Sequence, residues 1–318
     1  MFGQASTEEG RLPANADCGR NLEFRVIQPP NIAMEKAGYE PMIASQGGPV
    51  HDEVGKLPNV DMTVANVARM WDYYLGGSEN SEADREAARL VLGAAPDVPL
   101  AALENREFLK HAVRFLVTEA GISQFIDVGP GLPTRGNIHQ LIRQHHQHAD
   151  VAYIDNDPVV LARGRAHLDN APGVILAAGD LRDPDGILGN PELRGVIDFS
   201  RPAALCMTLV LHFIRDEDDP YGSVAKLCDA LCPGSYLVIS HVTGENRDQA
   251  ALGQIAEVYD QATAPLVMRT REQIERFFSG FELVKPGLVF LSQWRPATEY
   301  YAGGGTRWAY AGVGRKTS

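Results

Sequence analysis

The chain has few cysteines, little positive charge and no long apolar run, and each shortage excludes something. A membrane-spanning helix needs an unbroken apolar stretch of roughly 18 residues or more, and none of the 318 residues lies in one. The amino terminus also lacks the basic-then-apolar layout of a secretory signal. A cytoplasmic, soluble protein with no membrane partner is therefore expected. Lys and Arg number 29 against 41 Asp and Glu, a net charge of −12. The clustered basic surface that nucleic acid would require is not evident. Cys18, Cys206, Cys228 and Cys232 are too scattered for a disulfide framework or a paired zinc-ligand pattern. Cys228 and Cys232 would share a helix face, which plain packing explains. His145, His146 and His148 in QHHQH read as a solvated helix end, where cations suit the dipole, and their spacing is not a metal pattern. No metal, internal repeat or low-complexity tract is expected.

What is present is apolar content of 44%, enough for one substantial core with appendages. Residues 1–60 show little periodicity and hold Pro29-Pro30, Pro41, Gly47-Gly48-Pro49 and Pro58, so an irregular extension is expected there. Residues 61–120 read as a helical lid region. MTVANVARMWDYYLGG stops at Gly76-Gly77, and SEADREAARLVL offers Ser81 as N-cap with Asp84 three residues on, close to a capping box. A third helix is expected over 103–119. From residue 121 to 318 short apolar runs alternate with helical stretches, the rhythm of a parallel sheet with crossover helices. The runs fall at 124–128, 151–154, 174–178, 204–209 and 236–240, with helices near 134–146, 158–169, 221–231 and 247–261. Near the end, FELV and LVFLSQW flank Lys285-Pro286-Gly287, which predicts an antiparallel hairpin closing the sheet. The fold class is α/β, a Rossmann-like, seven-stranded, mostly parallel sheet.

Ligands of such sheets collect at the carboxyl ends of the strands. The first run ends Asp127-Val128-Gly129-Pro130-Gly131, the second Asp155-Asn156-Asp157-Pro158, the third Gly179-Asp180-Leu181. Three successive strands each deliver an acid. A dinucleotide fingerprint would want a small residue three places after Gly131, but Thr134 stands there after Pro133. The loop suits close backbone approach without an anion cradle, which argues against a nicotinamide-dependent oxidoreductase. Asp155 is placed to accept both hydroxyls of a ribose, with Asn156 lying beside the base. Asp180 can accept from an exocyclic amine while the Leu181 N–H serves a ring nitrogen. A ribose, an adenine and no phosphate describe S-adenosylmethionine. Asp157 reads instead as a helix N-cap before Pro158.

The order Asp127-x-Gly129-x-Gly131, Asp155, Gly179-Asp180 resembles the class I S-adenosylmethionine-dependent methyltransferases. More narrowly, VARMWDYYLGGSEN, NREFLKHAVRFL, QFIDVGPGLPTRGN, YIDNDPVV, DFSRPAAL and AGVGRK are similar to the actinobacterial S-adenosyl methyltransferase family once known only as a domain of unknown function. Pro130 departs from the small polar residue usual between the glycines. The resemblance implies methyl transfer to an acceptor, here expected to be a small molecule; binding of the cofactor or its demethylated product without transfer is the alternative. A looser resemblance to the leucine carboxyl methyltransferases implies that Arg106 holds the cofactor's carboxylate. The cluster Trp71, Asp72, Tyr73, Tyr74 reads equally as a lid over the cofactor, with Tyr73 in contact, or as a core-facing helix. His212 and His241 follow the fourth and fifth runs on the ligand side; His212 is the first candidate for a general base and His241 the second. Arg201 in DFSRP is as readily structural as functional. Oligomeric state is not legible.

Overall fold

The computed structural model describes residues 60–133, 136–145, 148–168, 171–296 and 305–317, all within one compact unit. The expected irregular extension over 1–60 lies outside the described residues save Val60, as does Thr134.

Three helices come first: α1 (Val67–Tyr74), α2 (Glu82–Ala94) and α3 (Val98–Thr118). α1 is capped by Asn66, whose side chain accepts from Arg69 N. α2 begins at the complete capping box that Ser81 and Asp84 form. α3 starts five residues earlier than the apolar pattern suggested, because Pro99 fits its first turn, where no backbone N–H is required.

The sheet follows: β1 (Gln124–Val128), α4 (Ile138–Gln144), β2 (Asp150–Asp155), α5 (Pro158–Leu168), β3 (Val174–Ala178), α6 (Pro184–Gly189), α7 (Pro191–Val196), β4 (Ala204–Thr208), α8 (Pro220–Asp229), β5 (Tyr236–Val242), α9 (Gln249–Asp260), α10 (Arg271–Glu275), β6 (Phe281–Leu283), β7 (Val289–Phe290) and β8 (Ala309–Lys316). Strand order is β3-β2-β1-β4-β5-β8-β6, with β7 also on β8. The first five strands are parallel and β8 runs against β5. β2 and β4 flank β1 on opposite sides, which puts the topological switch point at the end of β1.

The antiparallel carboxyl-terminal part differs in detail from a hairpin. β6 and β7 both pair with β8, at Phe281↔Lys316 and Val289↔Ala311. One edge of β8 is taken by β5, so β6 and β7 share the other edge, and eight strands occupy seven positions. The fourth strand stops at Thr208 because Leu209 takes the left-handed conformation at φ 51°.

Alternation along the strands sends Phe125, Val151 and Tyr153 to one face, against Phe108, Val113 and Leu116 of α3 and Ile138 and Ile142 of α4. Ile126, Ile154, Ala177 and Met207 face the other way, toward Ile187, Leu193, Val224 and Leu227. Burying each large apolar side chain contributes about 1.5–3 kcal/mol, so the doubly covered sheet dominates the stability. A third cluster joins Met70 and Tyr74 of α1, Ala88 and Val91 of α2 and Ile255 and Tyr259 of α9.

Polar contacts fasten this helical layer to the sheet's carboxyl end. Asn66 Nδ2 donates to the Asp157 carboxylate, and Arg163 pairs with Glu79 at 2.8 Å. Within the layer, buried Arg69 and Asp84 form an ion pair at 2.6 Å. Asp84 also accepts from Asn66 N (2.8 Å) and Ser81 N (2.7 Å). One buried carboxylate thus serves a cap, a guanidinium and the start of α1.

Candidate functional site

β1, β2 and β3 lie side by side, so their carboxyl ends form one row carrying Asp127, Asp155 and Asp180. Gly129 and Gly131 turn the chain over the end of β1 at φ 74° and 68°, which L side chains rarely adopt. Gly129 N donates to Ile154 O at 2.8 Å, and a Cβ there would meet Val210 Cγ2 at 2.3 Å. At Gly131 a Cβ would meet nothing within 4 Å. The first glycine is packed; the second faces open space.

Asp155 bridges this loop to the next: it accepts from Gly131 N at 3.2 Å and from Asp157 N at 2.9 Å. Gly179 N donates to Asp155 O at 3.0 Å, and a Cβ at Gly179 would lie 2.6 Å from Ile154 Cγ2. Asn156 Nδ2 donates to Asp180 at 3.0 Å, and Arg182 Nε donates to the same carboxylate at 2.9 Å. Leu181 is buried beneath. Asp157 caps α5 through Val159 N at 2.7 Å, in the structural part assigned to it from sequence.

Burial pushes the Asp127 carboxyl up to about 7, against the pull of Arg106 and with the push of Asp155. Burial likewise raises Asp155 to about 6, opposed by the N–H groups of Asp157 and Gly131. Arg182 does the opposite to Asp180, holding it at about 2. Two neighbouring acids in a desolvated site favour a ligand that brings hydroxyl donors and positive charge. A pyrophosphate would add negative charge beside them. S-adenosylmethionine, with its ribose hydroxyls, ammonium and sulfonium, fits this donor set.

Arg106 on α3 lies within electrostatic reach of both Asp127 and Tyr153. Its neighbour Glu104 is buried and accepts from Thr306 N at 2.7 Å. Tyr73 is not brought into this group: it is half-buried and interacts with Arg89 of α2. Asp72 accepts from Glu79 N (2.8 Å) and Asn80 Nδ2 (2.7 Å), fixing the turn at Gly76-Gly77. Arg201 donates to Ser123 Oγ at 3.0 Å, at the far end of β1, so its part is structural.

The two histidines lie against one another, ring centroids 5.6 Å apart, yet their surroundings differ. His241 Nδ1 is 2.8 Å from Val242 O, and Arg269 donates to its Nε2 at 2.9 Å. Burial first, then Arg269, drives it down to about 3. It is neutral with its lone pair engaged, which removes it as a proton acceptor in this arrangement. His212 is 2% exposed, and its Nδ1 is buried with no hydrogen-bond partner among the described residues. Burial, His241 and Arg269 hold it well below its ordinary value, so it too is neutral.

Sequence reasoning missed Arg269, which also binds the carbonyls of Leu211 and Ile214, both at 3.0 Å, and pairs with Asp216 at 2.6 Å. It holds the segment after β4 in place, and it sits in a stretch with no periodic signal. Among the described residues no cluster of His, Cys, Asp or Glu could hold a metal, and no helix is long and apolar enough to cross a membrane.

Fold and site together define a class I S-adenosylmethionine-dependent methyltransferase. Within that class, residues 54–317 match the family described as S-adenosyl methyltransferase, to which the chain belongs. It is similar to a DUF574 family protein of Streptomyces avermitilis, at 37% identity and TM-score 0.76 over 80% of this chain and 99% of that one. A structure from Thermobifida fusca is 39% identical, also at TM-score 0.76, over 82% of this chain and 98% of the other. No curated protein matches. The cofactor is S-adenosylmethionine.

Proposed function

We propose that the protein transfers the methyl group of S-adenosylmethionine by in-line displacement to a small-molecule acceptor. The observation that carries this reading is the row of Asp127, Asp155 and Asp180 beside the open face of Gly131. Asp155 accepts the ribose hydroxyls. Asp180 and the Leu181 N–H take the adenine edge, with Asn156 orienting Asp180. Asp127 and Arg106 receive the ammonium and carboxylate of the amino-acid end, an acid for the cation and a guanidinium for the anion. Gly129 and Gly179 give shape, since side chains there would collide with Val210 and Ile154.

The sulfonium supplies an electrophile already activated, so this chain's task is alignment and exclusion of water. The helical layer over the carboxyl end of the sheet, residues 61–120, serves as the lid. His212 is the proton acceptor; His241 and Arg269 are positioning residues that set its place. Binding without transfer is not favoured, because the family is one of transferases. Asp155→Ala should abolish measurable S-adenosylhomocysteine binding in calorimetry. Unchanged affinity in a folded variant would overturn the site.

A further inference from the structure

Beside the row of acids, a cavity of about 50 Å³ lies between the sheet end and the helical layer. Its walls include Trp71, Phe213, Tyr259, Met268 and Trp308, and none of the fourteen lining residues carries a formal charge. Trp308 Nε1 is already used, donating to Asp97 at 2.7 Å. His212 also lines it, with its buried Nδ1 lacking a hydrogen-bond partner among the described residues. A buried ring nitrogen left without a partner is destabilising, since its lost hydration is not replaced. The structure bears that cost at one place in an otherwise apolar wall. The cavity abuts the cofactor loop: Leu209 lines it, and the next residue, Val210, packs on Gly129.

We propose that this cavity receives the methyl acceptor, and that the acceptor is a flat, uncharged, apolar molecule of the phenol class whose hydroxyl meets His212. The inference rests on the methyltransferase reading and narrows it to oxygen methylation. A carboxylate or an ammonium would be desolvated among apolar walls without a counter-charge. A hydroxyl both donates and accepts, and so suits a neutral imidazole. As the oxygen's electron pair forms the bond to the methyl carbon, the carbon–sulfur bonding pair departs with sulfur as the neutral thioether. The hydroxyl proton passes to a ring nitrogen of His212. The oxygen becomes strongly acidic as that bond forms, so a weak base suffices to take the proton.

Size adds a condition. A cavity of roughly 150 Å³ holds a benzene ring, about three times the space present. Admission of a ring therefore requires the wall to give. Trp71 of α1, Ile255 and Tyr259 of α9 and the flexible side chain of Met268 belong to pieces that can separate without breaking the sheet.

The test is calorimetry on the full chain saturated with S-adenosylhomocysteine, titrated with 4-ethylphenol, ethylbenzene and 4-ethylbenzoate. Saturation by the cofactor product is checked first, so its failure would indict the cofactor site and not this inference. The phenol is expected to bind about tenfold or more tightly than ethylbenzene, with no heat from the benzoate. His212→Phe should keep product binding and ethylbenzene binding while the phenol's advantage disappears. Ala101→Phe, which fills the cavity from α3, should remove binding of both probes. Benzoate binding equal to the phenol's, a phenol preference that survives His212→Phe, or product binding with no probe binding at all would each overturn the proposal.

Discussion

The two raised carboxyls make cofactor affinity a function of pH in a calculable way. Asp127 at about 7 and Asp155 at about 6 are largely protonated in the free protein at pH 5.5. A ligand that binds their ionised forms must then release protons, and each contribution falls roughly tenfold per pH unit below its pKa. Between pH 7.5 and 5.5, Asp127 alone should weaken binding roughly 25-fold and Asp155 roughly fourfold, about a hundredfold together, or ~3 kcal/mol. Calorimetry with S-adenosylmethionine at pH 5.5, 6.5 and 7.5, in buffers of different ionisation enthalpy, measures both the affinity and the protons released. Asp127→Asn should leave the shallower slope of Asp155. The free protein's stability runs the other way. Both folded values lie above the ordinary aspartate value of 3.8, so the folded state holds more protons from about pH 4 to about 7. Stability is lost as pH rises through that window and is level above it. Affinity that is flat from pH 5.5 to 7.5, or that strengthens in acid, would refute the assignment of these acids to a cationic, hydroxyl-bearing ligand.

Three further outcomes follow from the packing. Asp84→Ala leaves Arg69 charged and buried without its partner, which should cost about 3–5 kcal/mol and appear as a matching drop in denaturant midpoint; a change under 1 kcal/mol would contradict the role given to that carboxylate. Gly129→Ala meets both an unfavourable φ, about 1–3 kcal/mol, and the Val210 side chain, and pairing it with Val210→Ala should recover only part of the steric cost, since Val210 Cβ itself would lie 2.8 Å from the new methyl; full recovery would mean that φ was not limiting. Asn66→Ala removes the bond to Asp157 and should loosen α1, seen as faster amide exchange over 67–74 with the sheet amides unchanged.

The positions of the sheet strands were legible because a buried parallel strand is a short apolar run that turn residues bound on both sides. Runs at 124–128 and 174–178 match β1 and β3 residue for residue. The carboxyl-terminal pairing was less so: the residues around Pro286 read as a turn between partners, whereas each flanking strand finds its partner in AYAGVGRK, some 20 residues further on. A local turn signal carries no information about which distant strand offers a free edge. Asp127, Asp155 and Asp180 were readable for the opposite reason, since each ends its strand and strand ends share one side. The difference between His212 and His241 was not. Both follow apolar runs, and only the course of Arg269 across the segment after β4 shows which lone pair is spent.

Asp157 joins the helical layer physically to the loop after β2. Its backbone N–H donates to the Asp155 carboxylate at 2.9 Å, its side chain caps α5, and it accepts from Asn66, the cap of α1. Asn66 N in turn donates to Asp84, the acid that holds Arg69. From Asp155 to the buried ion pair of the helical layer, each step is a hydrogen bond with at least one partner in an element that packs on the core. On the proposed site, a ligand hydroxyl that donates to Asp155 and favours its ionised form would act on the residue that anchors α1. Trp71, one wall of the apolar cavity, lies on that same helix. On the proposed site the cofactor is expected to bind before the acceptor, because the hydrogen bonds from Asp155 lead to the helix that walls the cavity beside His212; product-inhibition patterns of random binding would contradict this.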